Sequence, residues 1–114
     1  MDRAPRNWIA VASAEHARRG RDELQPGFMQ VCHGQCAPLR RVAPGDRVTY
    51  YAPALRQTRR GVAAVPMQSF VSFGIVLPGE PYAFDMGGFV PWRRDVHYLP
   101  AREAPIHPLL DHFA

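Results

Sequence analysis

The chain has 114 residues and a formal net charge of +4, with 46% hydrophobic and 21% charged residues. This length suits one domain, which we expect to span residues 1–114, and the balance of apolar and charged residues excludes a disordered tail. Twelve prolines and nine glycines imply many turns. They argue against a helical bundle and for a β-rich fold.

All fourteen basic residues are arginine, and the chain has no lysine. Schiff-base lysines, P-loop lysines and Ser–Lys catalytic pairs are therefore excluded. The nucleophile-elbow, zincin and paired-carboxylate motifs are also missing from the sequence, so we expect no enzyme. Glu15 and His16 are adjacent and are candidates for acid–base work, but a Glu in a first helical turn is expected anyway.

The sequence predicts a cytoplasmic, soluble protein with no membrane partner. Residues 1–7 carry three charges and no apolar run, which argues against a signal peptide. The longest uncharged stretch, 61–79, is interrupted by prolines, a glycine and polar residues, so it is not a membrane-spanning helix. Two cysteines cannot build a disulfide framework.

The pattern predicts secondary structure in chain order, beginning with a buried strand over 7–12. A short helix over 14–19 follows, with Ser13 as its N-cap and Gly20 as its end. The segment 27–33 mixes apolar and polar residues with no clean period, and it receives no element.

The middle of the chain predicts a short helix around 38–41 and a type II turn at Pro44–Gly45. Residues 46–52 alternate as in a half-buried strand. Its inward face would hold Val48, Tyr50 and Ala52. A long basic loop over 53–66 comes next.

In the last part of the chain, the strongest strand is predicted over 68–77, with a bulge or bend at Gly74. A weaker strand over 82–86, a turn at Gly87–Gly88, a strand over 92–99 and a helix over 105–113 follow it. About five strands with short helices suggest a small barrel.

Cys32, His33 and Cys36 form a C-H-x-x-C cluster. Zinc needs four ligands, usually from two such knuckles, and only one is present, so we predict no metal site. The order also differs from the c-type haem motif and from a C-x-x-C redox motif. These cysteines are interpreted as structural, with pocket lining as the alternative.

Several aromatic residues stand next to polar groups at strand ends. Trp8 follows Asn7, Phe28 precedes Gln30, and Tyr51 comes shortly before a proline. An aromatic wall with a few aimed polar groups is what a flat heterocycle needs, since stacking holds the ring and hydrogen bonds identify its edge.

The run Trp92-Arg93-Arg94-Asp95 lies on a predicted strand. Alternation places Arg93 and Arg94 on opposite faces. One arginine is expected to face solvent or phosphate, and the other to pair locally.

Several segments together resemble the small stand-alone EVE-domain proteins of bacteria, over nearly the whole chain. They are residues 27–39 (GFMQVCHGQCAPL), 45–46 (GD), 50–53 (YYAP), 88–96 (GFVPWRRDV) and 104–111 (APIHPLLD). The resemblance implies a PUA-like fold related to YTH and ASCH domains. This is a mixed α/β, mainly β, twisted barrel of about five to six strands with short flanking helices.

The resemblance also implies a function. EVE domains are thought to bind nucleic acid, DNA or RNA, through a flipped and often modified base in an aromatic-lined pocket. We therefore expect a nucleic-acid partner, no cofactor, and a monomer or weak homo-oligomer. The sequence departs from the family pattern at Gln35, where a lysine is usual, and at Ala52, where a serine is usual.

Carried over to this chain, the pocket would be built by Trp8, Ser13, Phe28, Gln30, Val31, Cys32, His33, Tyr51 and Pro53. The predicted phosphate contacts are Arg56, Arg59, Arg60, Arg93 and Arg94. Two alternatives stay open. One is a binder or hydrolase of a small nucleoside-like ligand, acting through His16, Glu15 or Cys32, and the other is a protein-interaction module that uses exposed aromatics.

Overall fold

The computed structural model describes residues 4–31, 36–56, 61 and 63–106. In these ranges the chain is mainly β with two helices. The elements are β1 (Asn7–Val11), α1 (Ala14–Asp22), β2 (Gly27–Val31), α2 (Ala37–Arg41), β3 (Arg47–Ala54), β4 (Pro66–Val76), β5 (Tyr82–Ala83), β6 (Trp92–Leu99) and β7 (Ala104–Pro105).

All the strands of the described residues belong to one sheet, with the order β1-β3-β4-β6-β2. The short strands β5 and β7 pair with β6 and β4. β1 runs parallel to β3, and the other pairs are antiparallel. The sheet curls into a half-barrel, which confirms the predicted mainly-β, barrel-like fold. β1 and β2 stand at the two ends of the strand order.

The interior of the half-barrel is filled from alternate strand positions. Val48, Tyr50 and Ala52 of β3 are all buried, as the alternation predicts. Val76 of β4 and Val96 of β6 pack into the same core. The strand predictions over 7–12, 46–52, 68–77 and 92–99 are confirmed to within two residues at each end.

Helix α1 begins where the sequence predicts and ends later. The Ser13 side chain caps it, since its Oγ accepts a hydrogen bond from the His16 amide at 3.2 Å. Gly20 does not stop the helix, which runs on to Asp22. A Cβ at Gly20 would lie 2.4 Å from the carbonyl oxygen of Phe28, so this glycine lets α1 pack closely against β2.

The segment without a clean period is β2, and burial on both faces explains the missing alternation. Four of its five residues are buried. Met29 packs into the core, while Phe28 lies on the opposite face beneath the guanidinium of Arg93. A strand covered on both sides has no reason to alternate.

Other predictions need correction. The β3–β4 register runs evenly through Gly74 and shifts at Tyr50/Tyr51 and Ala52/Ala54. Gly74 instead makes room for β6, because a Cβ there would lie 2.5 Å from Val96 Cγ1.

The predicted 82–86 strand is reduced to the two residues of β5, followed by the confirmed turn at Gly87–Gly88. The predicted helix over 105–113 is wrong at its start, where Pro105 belongs to β7; residues 107–113 lie outside the described residues. The predicted 53–66 loop contributes its first two residues to β3 and its last to β4. Within the described ranges, neither helix is long and apolar enough to cross a membrane.

Candidate functional site

A cleft of about 590 Å³ opens along the side of the half-barrel where β1 and β2 stand. This volume falls in the range of about 300–1,000 Å³ that is typical of small-ligand sites. The walls come from β1, the first turn of α1, the end of β2, α2 and the end of β3. The site is therefore assembled from both ends of the sheet and from both helices.

The body of the cleft is apolar. Ala10 of β1 and the following Ala12 line it, together with Met29 and Val31 of β2. Leu39 of α2 and Val42, which caps the end of that helix, complete the apolar lining. These side chains also belong to, or pack against, the main core. The wall is therefore backed by packed protein, which keeps its shape fixed.

Trp8 is held in this wall by a buried carboxylate. Its indole Nε1–H donates to Asp46 Oδ2 at 2.9 Å. Asp46 is only 1% exposed, and it also accepts hydrogen bonds from the amides of Arg6 at 3.0 Å and Ala43 at 2.9 Å. Because its N–H is engaged with Asp46, Trp8 offers the cleft its ring rather than a donor.

Polar groups lie where α1, β2 and β3 meet. Ser13, His16, Gln30 and Tyr50 all line the cleft, and the rings of His16 and Tyr50 have centroids 6.3 Å apart. Burial lowers the pKa of His16 below its usual value; a hydrogen bond to the Gln30 backbone opposes this, while nearby arginine charges add to it. The neutral form of the imidazole therefore predominates at pH 7.

The rim of the cleft is basic. Arg41, at the end of α2, and Arg56, just after β3, both line it and are exposed. None of the described lining residues is acidic. Glu15 lies outside the lining, but its Oε1 accepts from Arg56 Nε at 2.7 Å.

Five of the nine predicted pocket residues line the cleft: Trp8, Ser13, Gln30, Val31 and Pro53. Cys32 and His33 lie outside the described residues. Phe28 and Tyr51 do not line the cleft. Phe28 points away from Met29 and stacks under Arg93 at 3.8 Å. Tyr51 packs against Phe70, with ring centroids 5.4 Å apart.

The structure buries two of the predicted phosphate contacts, Arg93 and Arg94, which are 0% and 5% exposed. They lie on opposite faces of β6 as predicted, yet neither reaches solvent. Arg93 is held between the rings of Phe28 and Phe84, each with its centroid 3.8 Å from Cζ. Arg56 does lie at the rim, and Arg59 and Arg60 fall outside the described residues.

Arg94 is a structural residue of the cleft wall. Its Nη1 donates to the carbonyl oxygen of Val42 at 3.0 Å and approaches that of Leu39 at 3.4 Å. Both residues line the cleft. A cation on the last carbonyls of a helix satisfies groups that have no intrahelical partner, so Arg94 fixes α2 in place.

Sequence reasoning missed Tyr50, Arg41 and the cleft-lining position of His16. The signal for Tyr50 was present, because the alternation that buries Val48 turns Tyr50 to the same side. Arg41 could have been noticed as a candidate because it stands in the last turn of a predicted helix. His16 was weighed only as an acid–base group. Among the residues with described positions, no three His, Cys, Asp or Glu side chains group as a metal site would require.

Fold and site together define a mainly-β half-barrel protein with a basic-rimmed cleft between its terminal strands. No family model matches the chain. A UPF0310 protein of Mesorhizobium japonicum is 52% identical over 107 residues, which cover 91% of this chain and 67% of that protein. One from Streptococcus sanguinis is 40% identical over 109 residues, covering 94% and 72%. The chain belongs to the UPF0310 family.

Proposed function

We propose that the chain is a non-catalytic nucleic-acid-binding module of the EVE, PUA-like type, which holds one base in the cleft between β1 and β2. The observation that carries this proposal is the combination of an apolar cleft with a rim of arginines. The walls suit a flat, poorly hydrated ring, while the rim suits the phosphates on either side of it.

The lining supports recognition of a base. The ring of Trp8 and the apolar side chains of Met29 and Val31 offer contact surface, and base stacking is worth about 1–3 kcal/mol per base. Ser13 and His16 line the same cleft, and they would supply the polar groups that meet the edge of such a ring. A methyl group on the base would gain about 0.8 kcal/mol from burial in this lining.

The outer side of β1 supports a ligand larger than the base alone. Ile9 and Val11 are 69% and 68% exposed, and both border the cleft. β1 is also a terminal strand, and such strands present main-chain donors and acceptors along their free edge. An entering nucleotide would cover this apolar edge and find hydrogen-bond partners along it.

A fluorescence-polarisation titration tests the proposal. The probes are labelled single-stranded and duplex DNA and RNA, each with and without a methylated cytosine or adenine, at two salt concentrations. We expect tighter binding to one of them, with a log–log salt slope of about −0.7 for each phosphate engaged on a single strand. Salt-independent binding, or none, contradicts the proposal.

The rim offers a matched pair of variants for the same titration. Arg41→Gln removes a lining arginine, whereas Arg40→Gln removes its neighbour, which is exposed but does not line the cleft. We expect Arg41→Gln to weaken binding and to reduce the salt slope by about 0.7. Equal effects of the two variants would show that the positive charge acts only at long range.

The cleft volume also favours a second candidate, a free nucleoside-like small molecule. The same lining would hold such a ligand without any use for the rim arginines. Two results together would favour this second candidate. Unlabelled nucleosides would compete as well as the oligonucleotides do, and Arg41→Gln would leave their affinity unchanged.

A further inference from the structure

We infer that Glu15 is a specificity-determining residue for this cleft. Its carboxylate binds Arg56 until a phosphate of the ligand displaces it. The inference rests on the proposed function. The Glu15 carboxylate competes with the ligand for Arg56. A ligand that carries a phosphate can displace this carboxylate and bind Arg56, whereas a nucleoside without a phosphate gains no contact with Arg56.

The pair is positioned by the backbone as well as by its side chains. The Glu15 amide donates to the carbonyl oxygen of Leu55 at 3.0 Å, and the Leu55 amide donates to that of Val65 at 2.9 Å. The chain just before Arg56 is thereby tied to the first turn of α1. The contact between Arg56 Nε and Glu15 Oε1 at 2.7 Å follows from this placement.

Arg56 is the member of the pair that faces the cleft. It lines the cleft, and Glu15 does not. Their side chains are 70% and 52% exposed, so an incoming anion can reach the guanidinium. A phosphate and a carboxylate compete for the same guanidinium donors, and Arg binds both. Phosphate entry therefore exchanges one charge-assisted hydrogen bond for another.

The test is a binding comparison of Glu15→Gln with Glu23→Gln. Glu23 lies at the other end of α1 and pairs with Arg19 at 3.5 Å, so the control removes the same charge from an exposed pair outside the cleft. We expect Glu15→Gln to bind a labelled single-stranded oligonucleotide about two- to five-fold tighter, the range that an exposed ion pair allows. Affinity for the matching free nucleoside should not change.

A double-mutant cycle with Arg56→Gln separates direct competition from a general charge effect. In the Arg56→Gln background, Glu15→Gln should have no more effect than Glu23→Gln. Equal tightening by the two glutamate variants, or tightening that survives the loss of Arg56, would overturn the inference while leaving the proposed function intact. Absence of oligonucleotide binding by every variant would overturn both.

Discussion

At the scale of single residues, the buried carboxylate of Asp46 shows how the cleft depends on a group that does not line it. It accepts hydrogen bonds from the indole of Trp8 and from the backbone amides of Arg6 and Ala43. Each of these donors would be left without this acceptor if the carboxylate were removed. The orientation of the cleft wall therefore depends on one acceptor in the protein interior.

Asp46→Ala should lower the free energy of unfolding by about 3 kcal/mol or more, because three donors lose their acceptor and each buried group left without a partner costs about 1–3 kcal/mol. Urea denaturation measures the change. Asp85→Ala is the control, since Asp85 is exposed and its side chain accepts from the Gly87 amide in a surface turn. A loss no larger than that of the control would show that Asp46 does not anchor Trp8.

The sequence predicted the residue types of the site better than their direction. Phe28 and Tyr51 were expected in the cleft, whereas their neighbours Met29 and Tyr50 are the ones that line it. In a strand, a change of one residue reverses the face. The local pattern could not settle that face for β2, because both of its sides are buried.

At the scale of elements, α1 is tied to the chain before β7 by charged groups. Arg18 donates to both carboxylate oxygens of Glu103, at 2.9 and 2.6 Å. Arg21 adds a third contact, to Glu103 Oε2 at 3.0 Å. The hydrogen bond from Arg18 is the main cause that lowers the pKa of Glu103 to about 2.

This lowered pKa predicts how stability depends on pH. The unfolded chain binds a proton at Glu103 near pH 4.5, and the folded chain only near pH 2. The stabilisation is therefore complete above pH 4.5 and is lost as the pH falls from 4.5 towards 2. Urea midpoints measured across this range for the wild type and Glu103→Gln should differ at neutral pH and converge in acid. A constant difference at every pH would contradict the assignment.

The sequence pattern predicted the direction of side chains in an element with one buried face. It did not predict the positions where two elements pack closely against a glycine. The strand β3 alternates clearly, so its inward face was found. Gly20 was interpreted as a helix end and Gly74 as a bulge or bend, the usual meanings of an isolated glycine. Their role is close approach to Phe28 and Val96, which depends on partners that are distant in sequence.

At the scale of the whole molecule, the strand order places the site. β1 and β2 are at the two ends of a sheet that curls into a half-barrel, and residues of both strands line the cleft. The composition and the strand count predicted a barrel-like fold. They did not predict that the curled sheet would leave a cleft between its terminal strands, since that follows from long-range pairing rather than from any local pattern.

The central claim is that the base of a nucleic acid enters this cleft, and amide chemical-shift mapping tests it most directly. The protein, labelled with ¹⁵N, is titrated with the oligonucleotide that binds best in the polarisation assay. We predict that the shifts concentrate on cleft residues, including Ala10, Ser13, Val31 and Arg41. The exposed residues Phe89 and Val90, which follow the turn at Gly87–Gly88, should not shift. Shifts centred on Phe89 and Val90, or none in the cleft at saturating ligand, would contradict the claim.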